Sequence, residues 1–335
     1  MTPLRTFFGR CGFIAILMIF VVRIRSGSAE SVTVQLKWTH QAQFAGFYVA
    51  LDKGYYGEEN LDVRLLPGGK DINIAQAIAG GQADFGVLAA EDILINRSKG
   101  LPLKAIATIY RHNAVVFLSK ADSGITRPQH FLGKTIAVAS QGGATEFQIQ
   151  LVAMMKNLEL DISQMHLVPY DPEYEGFYNG SVDITAAYLT GGLITIRKQG
   201  ISPNLIWPGD YRVQFYSDTI ATTDRMIEDQ PERVDRFLRA TLRGWREAIG
   251  NPTASVDIIL KHALIKDRDL QSAMFDAMMP LVHTGEDCIG WMQADIWLEM
   301  HRMLVEQGVI QIPIAAVDSV FTLQFLEHLR KAKNK

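Results

Sequence analysis

Hydrophobic positions recur along the chain with two periods, and the switches between them lay out the elements. Val32, Val34 and Leu36 alternate with Thr33, Gln35 and Lys37, which predicts a half-buried strand. Phe44, Phe47, Tyr48 and Leu51 then fall at the i, i+3, i+4, i+7 spacing of one helical face, and Gly54 is placed to end that helix as a left-handed cap. Between them lies a polar, aromatic turn, Trp38-Thr39-His40-Gln41. A turn at the carboxyl end of a strand and the amino end of a helix is where open α/β sheets hold small ligands. Trp38, His40 and Gln41 are therefore candidate contacts to a flat, polar heterocycle, the alternative being that Trp38 and His40 only plug the top of a sheet.

The same alternation continues. Leu61, Val63 and Leu65 predict a second strand ending at Pro67-Gly68-Gly69, and Ile74, Ala75 and Ile78 a helix closed by Gly80-Gly81. Residues 83–88 form a strand, with Glu91 and Asp92 at the turn into the next helix, and residues 104–109 another strand. Tyr110-Arg111-His112-Asn113 and the β-prone Val115-Val116-Phe117-Leu118 read as the first crossing into a second domain, with Asn113 on its rim. There the plan repeats: a strand over 135–139, a glycine-rich turn at Ser140-Gln141-Gly142-Gly143, and a helix over 144–158 with Phe147, Leu151, Met154, Met155 and Leu158 on one face. Gly142, Gly143 and Ala144 can offer backbone N–H donors at that helix start, although glycine often serves such turns only for backbone geometry. Strands over 167–170 and 183–187 follow, the latter leading to Tyr188. Tyr211, Phe215 and Tyr216 precede the strand-like 219–221, read as the return crossing. Beyond Asp224 the pattern is helical. Asp229 and Glu232 resemble a capping box, and Val234, Phe237, Leu238, Thr241 and Trp245 trace a face expected to pack on the first domain. Trp291 to Leu304 and Phe321 to Leu329 give two further helices, whose methionines and tryptophans read as core. Strands alternating with helices predict an α/β fold with mainly parallel sheets.

Composition narrows the partners. The 335 residues are 48% hydrophobic and 21% charged, enough for two domains and incompatible with disorder, and a formal charge of -3 gives no electrostatic footprint for nucleic acid. Arg5 and Arg10, the apolar run from Cys11 to Val22 and the small residues Ser26-Gly27-Ser28-Ala29 read as an export signal over residues 1–29, with an uncleaved anchor as the alternative. Cleavage after Ala29 would leave Cys288 alone, without an intramolecular disulfide. No HExxH, GxSxG, CxxC, EF-hand or GxGxxG occurs, and Gly133-Lys134-Thr135 lacks the first glycine of a phosphate loop, Pro128 standing in its place. The scattered histidines offer no metal pair; His40 and His112 read as wall residues on the rims.

Taken in order, Leu36-Lys37-Trp38, Gly46-Phe47-Tyr48-Val49-Ala50, Lys53-Gly54-Tyr55-Tyr56, Leu61-Asp62-Val63, Gly80-Gly81-Gln82-Ala83-Asp84-Phe85-Gly86 and Gly133-Lys134-Thr135-Ile136-Ala137-Val138 resemble the SsuA-like and thiamine pyrimidine synthase-like family. The resemblance spans roughly residues 32–250. It implies a periplasmic-binding-protein-like fold: two α/β lobes joined by two crossing strands, here 30–115 with 220–335 as lobe 1 and 116–219 as lobe 2, with the ligand clamped between. It further implies a monomeric periplasmic binding component of an ABC importer with a permease partner and no cofactor, taking a thiamine pyrimidine precursor, riboflavin or a sulfonate. Trp38, Tyr188 and Tyr216 would then stack on the heterocycle, Glu91, Asn113 or Gln41 would bond its ring nitrogens and amino groups, and Gly142, Gly143 and Ala144 would donate. One departure bears on the ligand: where pyrimidine-binding relatives carry Asn-Glu-Pro, this chain has Thr190-Gly191-Gly192. The family also holds a fungal synthase that uses pyridoxal phosphate and iron. The positions resembling its cofactor lysine and sacrificial histidine are Leu88 and Asp92, and Val213-Gln214-Phe215-Tyr216-Ser217 stands in place of its cysteine-rich motif, which leaves that chemistry without its groups.

Overall fold

Ten strands form two five-stranded sheets in the computed structural model, which describes residues 28–140, 145–282, 285 and 288–333. Most of the expected export segment, and the expected donors Gly142, Gly143 and Ala144, lie outside the described residues. The first sheet contains β1 (Glu30–Gln35), β2 (Leu61–Leu66), β3 (Phe85–Leu88), β4 (Leu103–Thr108) and β10 (Thr219–Thr223), in the order β2-β1-β3-β10-β4. The second contains β5 (Val115–Lys120), β6 (Thr135–Ala139), β7 (His166–Pro169), β8 (Ile184–Tyr188) and β9 (Pro203–Ile206), in the order β7-β6-β8-β5-β9.

The expectation of mainly parallel sheets is corrected to mixed ones. β1 runs parallel to β2 and β3, and β6 to β7 and β8, but β10 is antiparallel to both its neighbours and so is β5. The reason is the route of the chain. A parallel neighbour needs a crossover back to the starting edge. β4 instead hands the chain directly to the facing rim of the other sheet, so β5 enters there and runs against its neighbours, and β10 does the same on return. The two crossings, residues 109–114 and 207–218, pair with each other: Ile109 N–H donates to the Asp218 carbonyl (2.8 Å) and Ser217 N–H to that of Tyr110 (3.1 Å).

Both sheets are covered on both faces, and the central strands read accordingly. All four residues of β3 are buried, as are Val115 to Ser119 of β5, the continuous apolar run typical of a doubly covered sheet. The long helix Pro231–Gly250 packs on the helix Ala45–Asp52 of the first domain, as its apolar face predicts; Val234, Phe237, Leu238, Thr241 and Trp245 are all buried. Its expected capping box is not formed. Asp229 instead closes a short preceding helix, Asp224–Asp229, with its carboxylate on Arg225 (3.1 Å), while Gln230 precedes the long helix without a side-chain cap. Pro231 occupies the first helical position and disfavours helical backbone at Gln230, which sits outside the helical region at φ -136° and ψ 48°; the break falls one residue later than the polar pattern suggests.

Candidate functional site

The carboxyl ends of β1 and β8, the start of the helix Glu146–Asn157 and the return crossing converge on one polar cluster between the sheets. Leu36 continues the buried face of β1, so the next residue, Lys37, falls on the rim. Its Nζ donates to Glu146 Oε2 at 2.8 Å and to Ser217 Oγ at 3.4 Å, touches the Tyr188 hydroxyl, and lies 3.8 Å from Asp218 Oδ1 and 4.8 Å from the Tyr188 ring centroid. Glu146 opens its helix directly after the N-cap Thr145, whose Oγ1 accepts from Gln148 N–H at 3.0 Å; a carboxylate there faces the positive end of the helix dipole. The Tyr188 hydroxyl donates to Glu146 Oε2 at 2.5 Å. Asn113 Nδ2 donates to Glu146 Oε1 (3.2 Å), while its Oδ1 accepts from Val115 N–H (2.8 Å) and its carbonyl from Trp207 Nε1 (2.9 Å). Behind Lys37, Gln43 Nε2 donates to Asp218 Oδ2 at 2.7 Å, and Gln41 Nε2 to Gln43 Oε1 at 2.7 Å.

Glu91 lies at the start of the helix Ala90–Ser98 and is fully buried. Gln150 Nε2 reaches its Oε1 at 3.4 Å; its Oε2 has no hydrogen-bond partner among the described residues. Next to it, Asp92 joins Leu88, Lys70, Asn73 and Asn96 in lining a cavity of about 350 Å³.

Four carboxyl groups near one ammonium cannot all be ionised without cost, and the site divides the charge unevenly. Burial opposes the charge on Lys37, but Glu146, Asp218 and Glu91 outweigh it and hold the ammonium well above the usual lysine range. Burial pushes Asp218 up to about 6 against the pull of Lys37 and the Gln43 hydrogen bond, and Asp92 likewise to about 6. Glu91 is driven well above the usual carboxylate range by burial and then by Glu146 and Asp92. The Tyr188 hydroxyl is held protonated by burial and the neighbouring Glu146. The cleft is therefore rich in acceptors, with its cation already engaged.

Among the residues singled out in the sequence, Gln41, Glu91, Asn113 and Tyr188 meet in this cluster. Trp38 is half-buried on the adjacent rim, its carbonyl accepting from Gly68 N–H at 2.9 Å. His40 turns away: its Nδ1 shares a 3.0 Å hydrogen bond with the Tyr48 hydroxyl, and burial lowers its pKa. Tyr216 sits in the core, fully buried, with its hydroxyl accepting from Gln293 N–H (2.9 Å) and its ring 6.1 Å from that of Trp297. His112 packs edge-on against Trp207 at 6.2 Å. Lys37, Gln43, Glu146, Gln150, Ser217 and Asp218 were not singled out. For Lys37 a signal existed, a charged residue at the exit of the first strand; for Glu146 it was an acid in the first turn of a predicted helix. Ser217 and Asp218 carried none, because only the fold brings the return crossing beside β1.

A family model described as NMT1/THI5 like matches residues 41–255. Riboflavin-binding protein RibY of Chloroflexus aurantiacus is 24% identical over 311 residues, 89% of this chain and 86% of that protein. A formylaminopyrimidine-binding protein of Halalkalibacterium halodurans is 25% identical over 298 residues, 84% of this chain and 88% of its own. A 4-amino-5-hydroxymethyl-2-methylpyrimidine phosphate synthase of Aspergillus parasiticus is 24% identical over 247 residues, 69% and 70% of the two chains. The periplasmic aliphatic sulphonate binding protein SsuA of Escherichia coli superposes with a TM-score of 0.69 over 87% of this chain and 91% of its own, at 11% identity. This likeness is one of fold: two α/β lobes of the periplasmic-binding-protein type.

Proposed function

Because the chain belongs to the NMT1/THI5-like family and carries the periplasmic-binding-protein fold, we propose that it is the solute-binding component of an ABC importer, capturing a small heterocycle between its lobes. The observation that carries this reading is the cluster itself. Lys37 leaves the first sheet, Glu146 and Tyr188 the second, and Ser217 and Asp218 the crossing, so the polar cluster in the cleft is drawn from both sides of a hinge. The lobes are taken as residues 30–115 with 220–335, and 116–219, and closure would present one surface to a membrane permease. Delivery to the periplasm rests on the export signal in the sequence, and a monomer is the expected state.

A thiamine pyrimidine precursor is the first ligand, favoured by the formylaminopyrimidine-binding relative; riboflavin is the second, favoured by RibY. Trp38 and Tyr188 would stack on the ring, with Glu91, Asn113 and Gln41 as polar partners. A synthase activity is disfavoured by Leu88, an apolar residue buried in β3 and paired with Thr219, where an imine-forming amine would be required.

The test is thermal unfolding of the chain from Glu30 onward with thiamine, formylaminopyrimidine, hydroxymethylpyrimidine, riboflavin and taurine. A ligand at about a hundred times its dissociation constant adds about 2.7 kcal/mol. We expect one heterocycle to raise the midpoint, and Trp38→Ala to weaken its binding about tenfold by removing a stacking face. No rise with any of them, with pyridoxal phosphate and iron producing a coloured, stabilised protein instead, would overturn the assignment.

A further inference from the structure

The Lys37 ammonium occupies a seat whose chemistry is that of a ligand site. It lies against the Glu146 carboxylate at 2.8 Å and over the Tyr188 ring at 4.8 Å, an anion and an aromatic face together. Phe147 extends the aromatic side, 6.0 Å from Tyr188 at 75°, and Tyr170 follows 4.5 Å beyond Phe147. A single ammonium on a flexible stem uses little of that wall. A planar ring bearing an amino group or ring N–H would use both parts.

Lys37 also has a second place to go. Asp218 Oδ1 is 3.8 Å from Nζ, belongs to a side chain 2% exposed, and has no hydrogen-bond partner among the described residues. Moving the ammonium from Glu146 towards Asp218 would satisfy that buried oxygen and free the seat. An anionic ligand gains nothing comparable. It would have to take Lys37 from the carboxylates of Glu146 and Asp218, at 2.8 and 3.8 Å, and leave both without their cation.

We propose that the cleft selects a planar heterocycle bearing N–H donors and no net negative charge, whose donor displaces the Lys37 ammonium from Glu146 and passes it to Asp218. This rests on the solute-binding reading and narrows it: sulfonates and phosphate esters are excluded although the fold is shared with a sulphonate-binding protein.

The experiment is calorimetric titration of the whole protein with charge-matched ligands: hydroxymethylpyrimidine and riboflavin, each against its own phosphate ester, with thiamine as a cation and ethanesulfonate as an anionic sulfonate. The uncharged or cationic member should bind at least about tenfold tighter than its anionic counterpart, about 1.4 kcal/mol. Lys37→Met should hold or raise that affinity, because a competitor for Glu146 is gone, while Glu146→Gln should lower it about tenfold or more. A phosphate ester or ethanesulfonate binding as tightly as the uncharged compounds would overturn the proposal and leave the solute-binding reading standing. So would a tenfold loss in a folded Lys37→Met, since it would make Lys37 a ligand contact. If that variant fails to fold, the wild-type comparison decides alone. A panel in which nothing binds would bring down the solute-binding reading and this proposal together.

Discussion

Lys37 and Glu146, 109 positions apart in the chain, meet at 2.8 Å and tie the rim of the first sheet to the helix that follows β6 in the second lobe. Their side chains are 15% and 12% exposed, so the pair is too shielded to be a screened surface contact and too wet to be a fully buried one. It fastens the two lobes without a ligand. The same groups are then available to one, at the expense of that internal bond.

Glu146→Gln tests how much the pair holds. Removing one partner of a fully buried pair costs about 3–5 kcal/mol; here Lys37 keeps Asp218 at 3.8 Å, and the variant also removes a negative charge that repels Glu91. We expect a loss of about 1–2 kcal/mol in the ligand-free protein, read as a lower midpoint in urea at unchanged slope. An unchanged midpoint would mean that Asp218 alone suffices for Lys37.

Gly244→Ala probes the frame on which the first sheet rests. The long helix crosses the helix Ala45–Asp52 at paired glycines, and a Cβ on Gly244 would run into the Gly46 carbonyl oxygen and stand 2.7 Å from Ala50 Cβ and 2.9 Å from Ala50 N. Two of these three atoms belong to backbone and cannot rotate away, so the helices must part. Overpacking of this kind costs about 1–3 kcal/mol. Thermal unfolding should show a drop of several degrees, with ligand affinity far less affected because Gly244 lies outside the cleft.

Much of the scaffold was legible because it is written in local periods. The alternation of Val32, Val34 and Leu36, the helical spacing of Phe44 to Leu51 and the left-handed cap at Gly54, with φ of 74°, all follow from rules acting within a few residues. What stayed hidden depends on route and register. Nothing local in Thr219 to Ala221 says that the strand runs antiparallel between β3 and β4; its direction follows from where the chain returns. The same applies to the site. Tyr216 and Ser217 are adjacent, yet the backbone sends Tyr216 into the core beside Trp297 and Ser217 towards Lys37, a division that no local pattern in the aromatic patch marks. Charged residues such as Glu146 and Asp218 read as ordinary surface groups until the fold buries them together.

The proton balance of the cleft gives a last prediction. Asp218 titrates near 6 when folded, against an ordinary value of 3.8, and its carboxylate is almost wholly buried. A raised folded pKa means that between roughly pH 4 and 6 the folded state holds more protons than the unfolded one. The stability this contributes is full below the unfolded value and is lost as pH rises through about 6. Burial lowers the pKa of His40, His262 and His301, so they act in the opposite sense as pH falls towards 5, and a single pH profile of the wild type would mix the two effects. The difference between wild type and Asp218→Asn removes the histidines, which both proteins share. Relative to wild type, the variant should therefore gain stability as pH rises from about 4 to 7, by on the order of 2 kcal/mol. Urea unfolding of both proteins across that range measures it; a difference independent of pH would show that Asp218 stays ionised when buried, with the Lys37 ammonium engaged on it rather than on Glu146.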